Sequence, residues 1–132
     1  MNSDIITKIN NLRKMKSADA ADWLIDNYPI QNQNWGEAIA IIPHLSWQRA
    51  DQIKLSDYYL QKIPYASAKP YEAFAKIMKI STLVSILEKY IPCDVSGKNL
   101  LAYYSIGALR DMAKTKVDFD AISRLLDKLD SC

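Results

Sequence analysis

The sequence predicts an all-α fold, a compact stack of about eight short antiparallel helices, and three observations carry that prediction. Glycine is scarce, with three residues in 132, whereas a strand-rich fold needs many tight turns. Apolar residues recur three and four positions apart along segment after segment, which places them on one face of a helix. Prolines 29, 43, 64 and 92 stand where those stripes stop. Each lacks the N–H that a helix interior uses, and each restricts the residue before it.

The first helix is expected over Ser3 to Met15, with Ile5, Ile6, Ile9 and Leu12 as its stripe and Arg13, Lys14 and Lys16 at its end, where basic groups complement the helix dipole. Ser17 is the expected cap of a second helix reaching about Asn27; its apolar set is Ala20, Ala21, Leu24, Ile25 and Tyr28. Gln31 to Asn34 reads as a loop, and Asn34 with Glu37 has the spacing of a capping box. A third helix follows from Trp35 to about Ile42. Ser46 is expected to cap a fourth, Trp47 to Ile63, and Pro64 to close it. Pro70 suits a first helical position, so a fifth helix runs to about Lys79 on Tyr71, Phe74, Ile77 and Met78.

Ser81 to Lys114 forms the expected centre. Leu83, Val84, Leu87, Tyr90 and Ile91 mark a sixth helix that Pro92 stops. Ser96 is expected to cap a seventh, on which Leu100, Tyr103, Tyr104, Gly107, Leu109 and Met112 cover more than half the circumference. A helix that apolar calls for cover on two sides. Asp118 is the expected cap of the eighth, whose stripe is Phe119, Ile122, Leu125, Leu126 and Leu129.

Length and charge narrow the functional classes. Residues 1–132 fit one domain. A net charge of +2 lacks the strong basic bias usual in nucleic-acid binders. Cys93 and Cys132 do not make a disulfide framework, so both are expected reduced, in a cytoplasmic protein. The start, MNSDIITKIN, has no apolar run of signal length. The longest apolar run, Ala38 to Ile42, falls far short of the ~20 residues that cross a bilayer, so no membrane association is expected.

Ile42-Pro43 and Ile91-Pro92 lie 49 residues apart, and at that offset Leu60 matches Leu109 and Ile63 matches Met112. The segments IIPHLSWQRADQIKLSDYYLQKI and YIPCDVSGKNLLAYYSIGALRDM resemble HEAT-type helix pairs over residues 34 to 129. They lack the regular Asp/Arg pair of that family. The resemblance implies a protein-binding scaffold. Small domains of this kind also resemble bacterial immunity proteins that neutralise a toxin domain, and some HEAT-like members bind nucleic acid.

Reactive chemistry finds little footing. His44, the single histidine, follows Pro43 and reads as a loop residue. Ser96-Gly97-Lys98-Asn99 lacks the earlier glycine and the following Ser or Thr of a phosphate loop. Serine nucleophiles would need His44 as base. No catalytic, cofactor-binding or metal-ligating residue is therefore expected.

Three features suit docking. Asp19, Asp22 and Asp26 share one face of the second helix, either as a solvated acidic face or as a contact for a basic partner. In Tyr58-Tyr59 and Tyr103-Tyr104 the neighbours point about 100° apart, so both rings of a pair cannot centre on one face: either a two-sided helix buries both, or one ring of each pair reaches the surface as a partner contact, with Tyr59 and Tyr104 the candidates. Lys62, Lys69, Lys76 and Lys79 are interleaved with Tyr65 and Tyr71, a pattern that can stack bases and hold phosphates, although Glu72 interrupts it. The expected function is a non-enzymatic protein-binding module, most concretely an immunity or antitoxin protein against a basic toxin domain such as a nuclease. The alternative is a small helical nucleic-acid-binding domain.

Overall fold

A computed structural model describes residues 3–130; Cys132 lies outside them. The described residues form eight α-helices and no strand, as the sequence predicts. They are α1 (Ser3–Leu12), α2 (Ser17–Asn27), α3 (Gly36–Ile41), α4 (Arg49–Tyr59), α5 (Lys69–Ile77), α6 (Ile80–Lys89), α7 (Val95–Met112) and α8 (Lys116–Asp130). Single 3₁₀ turns, Gln33–Trp35 and Ile42–His44, flank α3.

The helices pack by alternation. α1, α3, α5 and α7 lie each against the next in one row, and α2, α4, α6 and α8 do the same in another. α7 and α8 pack together at the end, and α5 joins the rows through α4 and α6. Tyr59, Tyr71, Phe74, Leu83 and Leu101 are wholly buried in a single core.

The even row is cross-tied at a nearly constant step. Lys54 on α4 pairs with Asp22 on α2, 32 residues away. Lys89 on α6 reaches back 32 residues to Asp57 on α4 at 2.5 Å. Arg124 on α8 reaches back 36 residues to Glu88 on α6 at 3.0 Å, and Lys128 joins it. The Ser17 hydroxyl accepts the Gln48 amide at a separation of 31. The spatial repeat is therefore 31–36 residues, and the 49-residue offset is not its period. The physical reason is that Pro43 precedes α4, an even-row helix, whereas Pro92 precedes α7, an odd-row helix. Matching the two prolines aligned helices from opposite rows.

These pairs are open to solvent on at least one side, so each contributes little to stability. They do set an acid dependence. The hydrogen bond from Lys89 lowers the Asp57 carboxyl, against an opposing push from burial. Burial pushes Glu88 up, but the hydrogen bonds from Arg124 and Lys128 together outweigh it and hold the group low. A depressed folded pKa means stability that is present above the ordinary carboxylate value of about 4 and lost as pH falls through the folded value. Urea unfolding between neutral pH and pH 3 should show that loss. Glu88→Gln should flatten it, and an unchanged acid limb in that variant would remove Glu88 from the account.

Local signals explain where helix ends depart from expectation. α4 is shorter than Trp47 to Ile63. The Trp47 indole N–H donates to the Ile42 carbonyl at 3.0 Å, which holds Trp47 in the connection before the helix. Leu60 to Ile63 leave the helix ahead of Pro64, as the residue before proline avoids helical backbone. The α7 cap is Asp94, which accepts the Gly97 amide at 2.8 Å; Ser96 lies inside the first turn. At α8, Thr115 and Asp118 form a reciprocal box. The Asp118 amide donates to Thr115 Oγ1 at 3.2 Å, and the Asp118 carboxylate accepts the Lys114 and Thr115 amides. Those amides hold the Asp118 carboxyl below its usual range.

Helix α7 has cover from α5 and α8 but stands last in its row. Leu101 and Leu109 are buried, whereas Val95, Tyr103 and Met112 are exposed. Its apolar excess is thus partly surface: the expected cover on two sides is there, from α5 and α8, but the helix stands at the end of its row and not at the centre. Ser105 on α7 is wholly buried, and its hydroxyl has no hydrogen-bond partner. Ser105→Ala removes that orphaned group and should raise stability by about 1 kcal/mol, read as a higher melting temperature.

Candidate docking groove

A run of adjoining hollows follows α3 and α5 and ends at the starts of α4 and α6. At one end Trp35, Ile39, Tyr65 and Lys69 line a hollow of about 260 Å³. It shares Gly36, Ile39 and Lys69 with a hollow of about 430 Å³ floored by Ala40, Pro43 and Ala73. Lys76 and Pro43 carry the groove on toward Trp47 and Gln52. At the far end Arg49, Lys76, Met78 and Lys79 border a hollow of about 450 Å³.

The sequence builds this line through two spacings. Lys69 and Lys76 are seven apart on α5, two turns along one face. Pro43 ends α3 in a 3₁₀ turn, which leaves Ile39, Ala40 and Pro43 facing the cleft. The aromatic end is tied down from below. Tyr65 donates its hydroxyl to the Tyr59 carbonyl, and its amide donates to the Tyr71 hydroxyl at 3.1 Å. Trp35 stacks on Tyr65 with ring centroids 4.8 Å apart. Burial pushes the Tyr65 phenol up to about 12, so it stays a neutral donor at ordinary pH.

Charge is the distinctive property. Arg49, Lys69, Lys76 and Lys79 are all exposed, and none belongs to an ion pair among the described residues. Glu72 is the one carboxylate along the line. Lys62, the fourth lysine of the sequence pattern, is exposed but does not line the groove. Arg49 and Trp35 were absent from that pattern. They come from segments well before the lysines, and only packing brings them alongside.

The other candidates distribute differently. Asp19, Asp22 and Asp26 are exposed on α2. Asp22 is committed to Lys54, whose pKa that hydrogen bond raises, with smaller help from Asp51 and Asp26. The acidic stripe is therefore partly neutralised within the chain. Tyr59 is 0% exposed and offers a partner no surface; its proposed contact role is corrected to a core role. Its hydroxyl donates to the Tyr28 carbonyl at 2.9 Å, beside the Leu24 carbonyl at 3.2 Å. The half-buried member of that pair is Tyr58, which accepts the Ile30 amide at 2.9 Å. Tyr104 is half-buried and meets Tyr103 edge-on at 4.9 Å, whereas Tyr103 is 78% exposed. Asp19, Asp22 and Asp26 on α2 and Tyr104 on α7 belong to different rows and do not make one patch.

His44 and Cys93 are both exposed, His44 in the 3₁₀ turn after α3 and Cys93 between α6 and α7. Among the described residues, no three His, Cys, Asp or Glu side chains gather in a group that could hold a metal ion. No helix there is long and apolar enough to cross a membrane. Comparisons with family models, curated proteins and solved structures find no match.

Proposed function

We propose that this chain is a non-catalytic protein-binding module, in its most concrete form an immunity protein that binds and silences a toxin domain. The observation that carries this reading is the division of charge over the surface. Three ion pairs, Asp22–Lys54, Asp57–Lys89 and Glu88–Arg124, tie neighbouring helices of the even row to one another. The groove leaves four cations unspent over an apolar floor. Charge left unpaired next to apolar surface suits complementary docking, where it directs the partner and sets register. Stacked helices also supply extended binding surfaces in other proteins.

The test is functional. The chain is used as bait in its native host, and a partner present in equal amount after gel filtration is identified. That partner is then expressed alone and together with the chain. Growth arrest by the partner, relieved by co-expression, is the expected result. A host extract that yields no stoichiometric partner would sink the docking role, and a harmless partner would remove the immunity form of it.

The Trp35–Tyr65 stack beside Lys69 favours a second reading, a nucleic-acid-binding domain. Phosphate contacts impose a steep fall of affinity with salt. Anisotropy titrations with single-stranded and duplex oligonucleotides across salt concentration separate the two readings. The protein-binding reading expects no such slope.

A further inference from the structure

We propose that the groove along α3 and α5 receives an extended acidic segment of a partner protein, one in which carboxylates alternate with apolar side chains. This rests on the docking role proposed above and specifies its chemistry. It also reverses the polarity expected from Asp19, Asp22 and Asp26, which called for a basic partner.

Two sets of residues define the occupant. Arg49, Lys69, Lys76 and Lys79 are cations with no anion among the described residues in an ion pair with them. They border three hollows that share walls, so their charge is spread along a line. A line of separated cations fits a chain that presents carboxylates at intervals. Between the cations the floor is apolar, with Ile39, Pro43 and Met78 in reach of a ligand. An extended segment places alternate side chains on opposite sides, so it can give apolar groups to the floor and carboxylates to the rims.

A nucleic acid matches less of this. Its phosphates would gain from the cations, but the apolar floor offers a sugar–phosphate backbone nothing. Glu72 would stand against it midway. The rings of Trp35 and Tyr65 already cover one another at 4.8 Å, which leaves no slot for a base between them. The chain's net charge of +2 supplies little long-range pull on a polyanion.

The experiment is selection of random dodecapeptides displayed on phage against the full chain, followed by titration of the enriched peptides by anisotropy. The expected winners carry Asp or Glu interleaved with apolar residues. The double variant Arg49→Glu/Lys76→Glu should bind them about tenfold more weakly or worse, while its circular dichroism melt stays cooperative. Lys62→Glu, outside the groove, should leave their affinity unchanged. The proposal fails if no peptide is enriched, if the winners are neutral or basic, or if the double variant binds them as well as the parent. It also fails if a single-stranded oligonucleotide displaces them from the groove, or if a second copy of the chain occupies it, seen as a dimer abolished by the double variant. The outcomes separate from those of the docking role itself. A native partner that binds the double variant normally would keep docking and discard the groove. Acidic winners without any native partner would keep the groove's chemistry and discard the immunity form.

Discussion

Tyr59→Ala is expected to cost about 3–5 kcal/mol, the range for removing a large buried aromatic side chain. A domain stable by roughly 5–15 kcal/mol would lose much of its margin, and the melt should shift or vanish accordingly. The size of the effect follows from position. Tyr59 is wholly buried near the end of α4, and its hydroxyl donates to the Tyr28 carbonyl where α2 ends. The end of a helix leaves carbonyls without intrahelical partners, so this phenol ties one even-row helix to the terminus of the one before it. Tyr59→Phe keeps the ring and loses only the hydrogen bond, at about 1–2 kcal/mol. Equal losses in the two variants would show that the ring's packing is not what matters.

The same residues give the fold an alkaline limit. Burial pushes the phenols of Tyr59, Tyr65 and Tyr71 above their ordinary value. For a raised pKa the contribution is fully present below the unfolded value of about 10 and is lost as pH rises through the folded one. Urea midpoints should therefore fall above about pH 10, and Tyr65→Phe should soften that fall.

Gly97→Ala is expected to destabilise by about 2 kcal/mol, a substitution that elsewhere in a helix helps. A Cβ at Gly97 would lie 2.7 Å from Pro92 Cβ and 2.8 Å from Asp94 Oδ1. One neighbour is a rigid ring and the other is the carboxylate that caps α7 through the Gly97 amide. Relief of the clash must move the proline or break the cap, and a cap is worth ~1 kcal/mol. Gly107, on the same helix, has nothing within 4 Å of its would-be Cβ. Gly107→Ala should therefore stabilise by ~0.5–1 kcal/mol through helix propensity. Opposite shifts in melting temperature are the signature; shifts of one sign would refute the steric account.

The helices were legible because their signals are local. Stripes such as Leu83-Val84-Leu87 and the proline that follows, Pro92, need only the 3.6-residue period and the missing N–H. Row membership was not legible, since an odd-row and an even-row stripe look alike in sequence. That is why Pro43 and Pro92 could be matched although they precede helices of different rows. The tyrosine pairs failed for a related reason. Periodicity says that Tyr58 and Tyr59 diverge, but only the placement of α2 decides that Tyr59 is the inner one. Of the groove, Lys69 and Lys76 were readable as one face of α5. Arg49 and Trp35 were not, because no spacing rule links them to that helix. Ser17, expected as a cap, is instead the first residue of α2 and gives its oxygen to the Gln48 amide along the row.

The step of 31–36 residues between cross-tied helices makes each helix answer chiefly to its neighbours in its own row, two helices away in sequence. Such a chain is two rows of helices stacked around one continuous core. Amide hydrogens should exchange first at α1, which packs mainly on α3, with protection deepening toward the closely packed α5 to α8. Lengthening the protein by one whole pair, grafted beyond α8 with its own base opposite an acid on α8, is then an addition the architecture accepts, whereas inserting a single helix would throw every later one onto the wrong row.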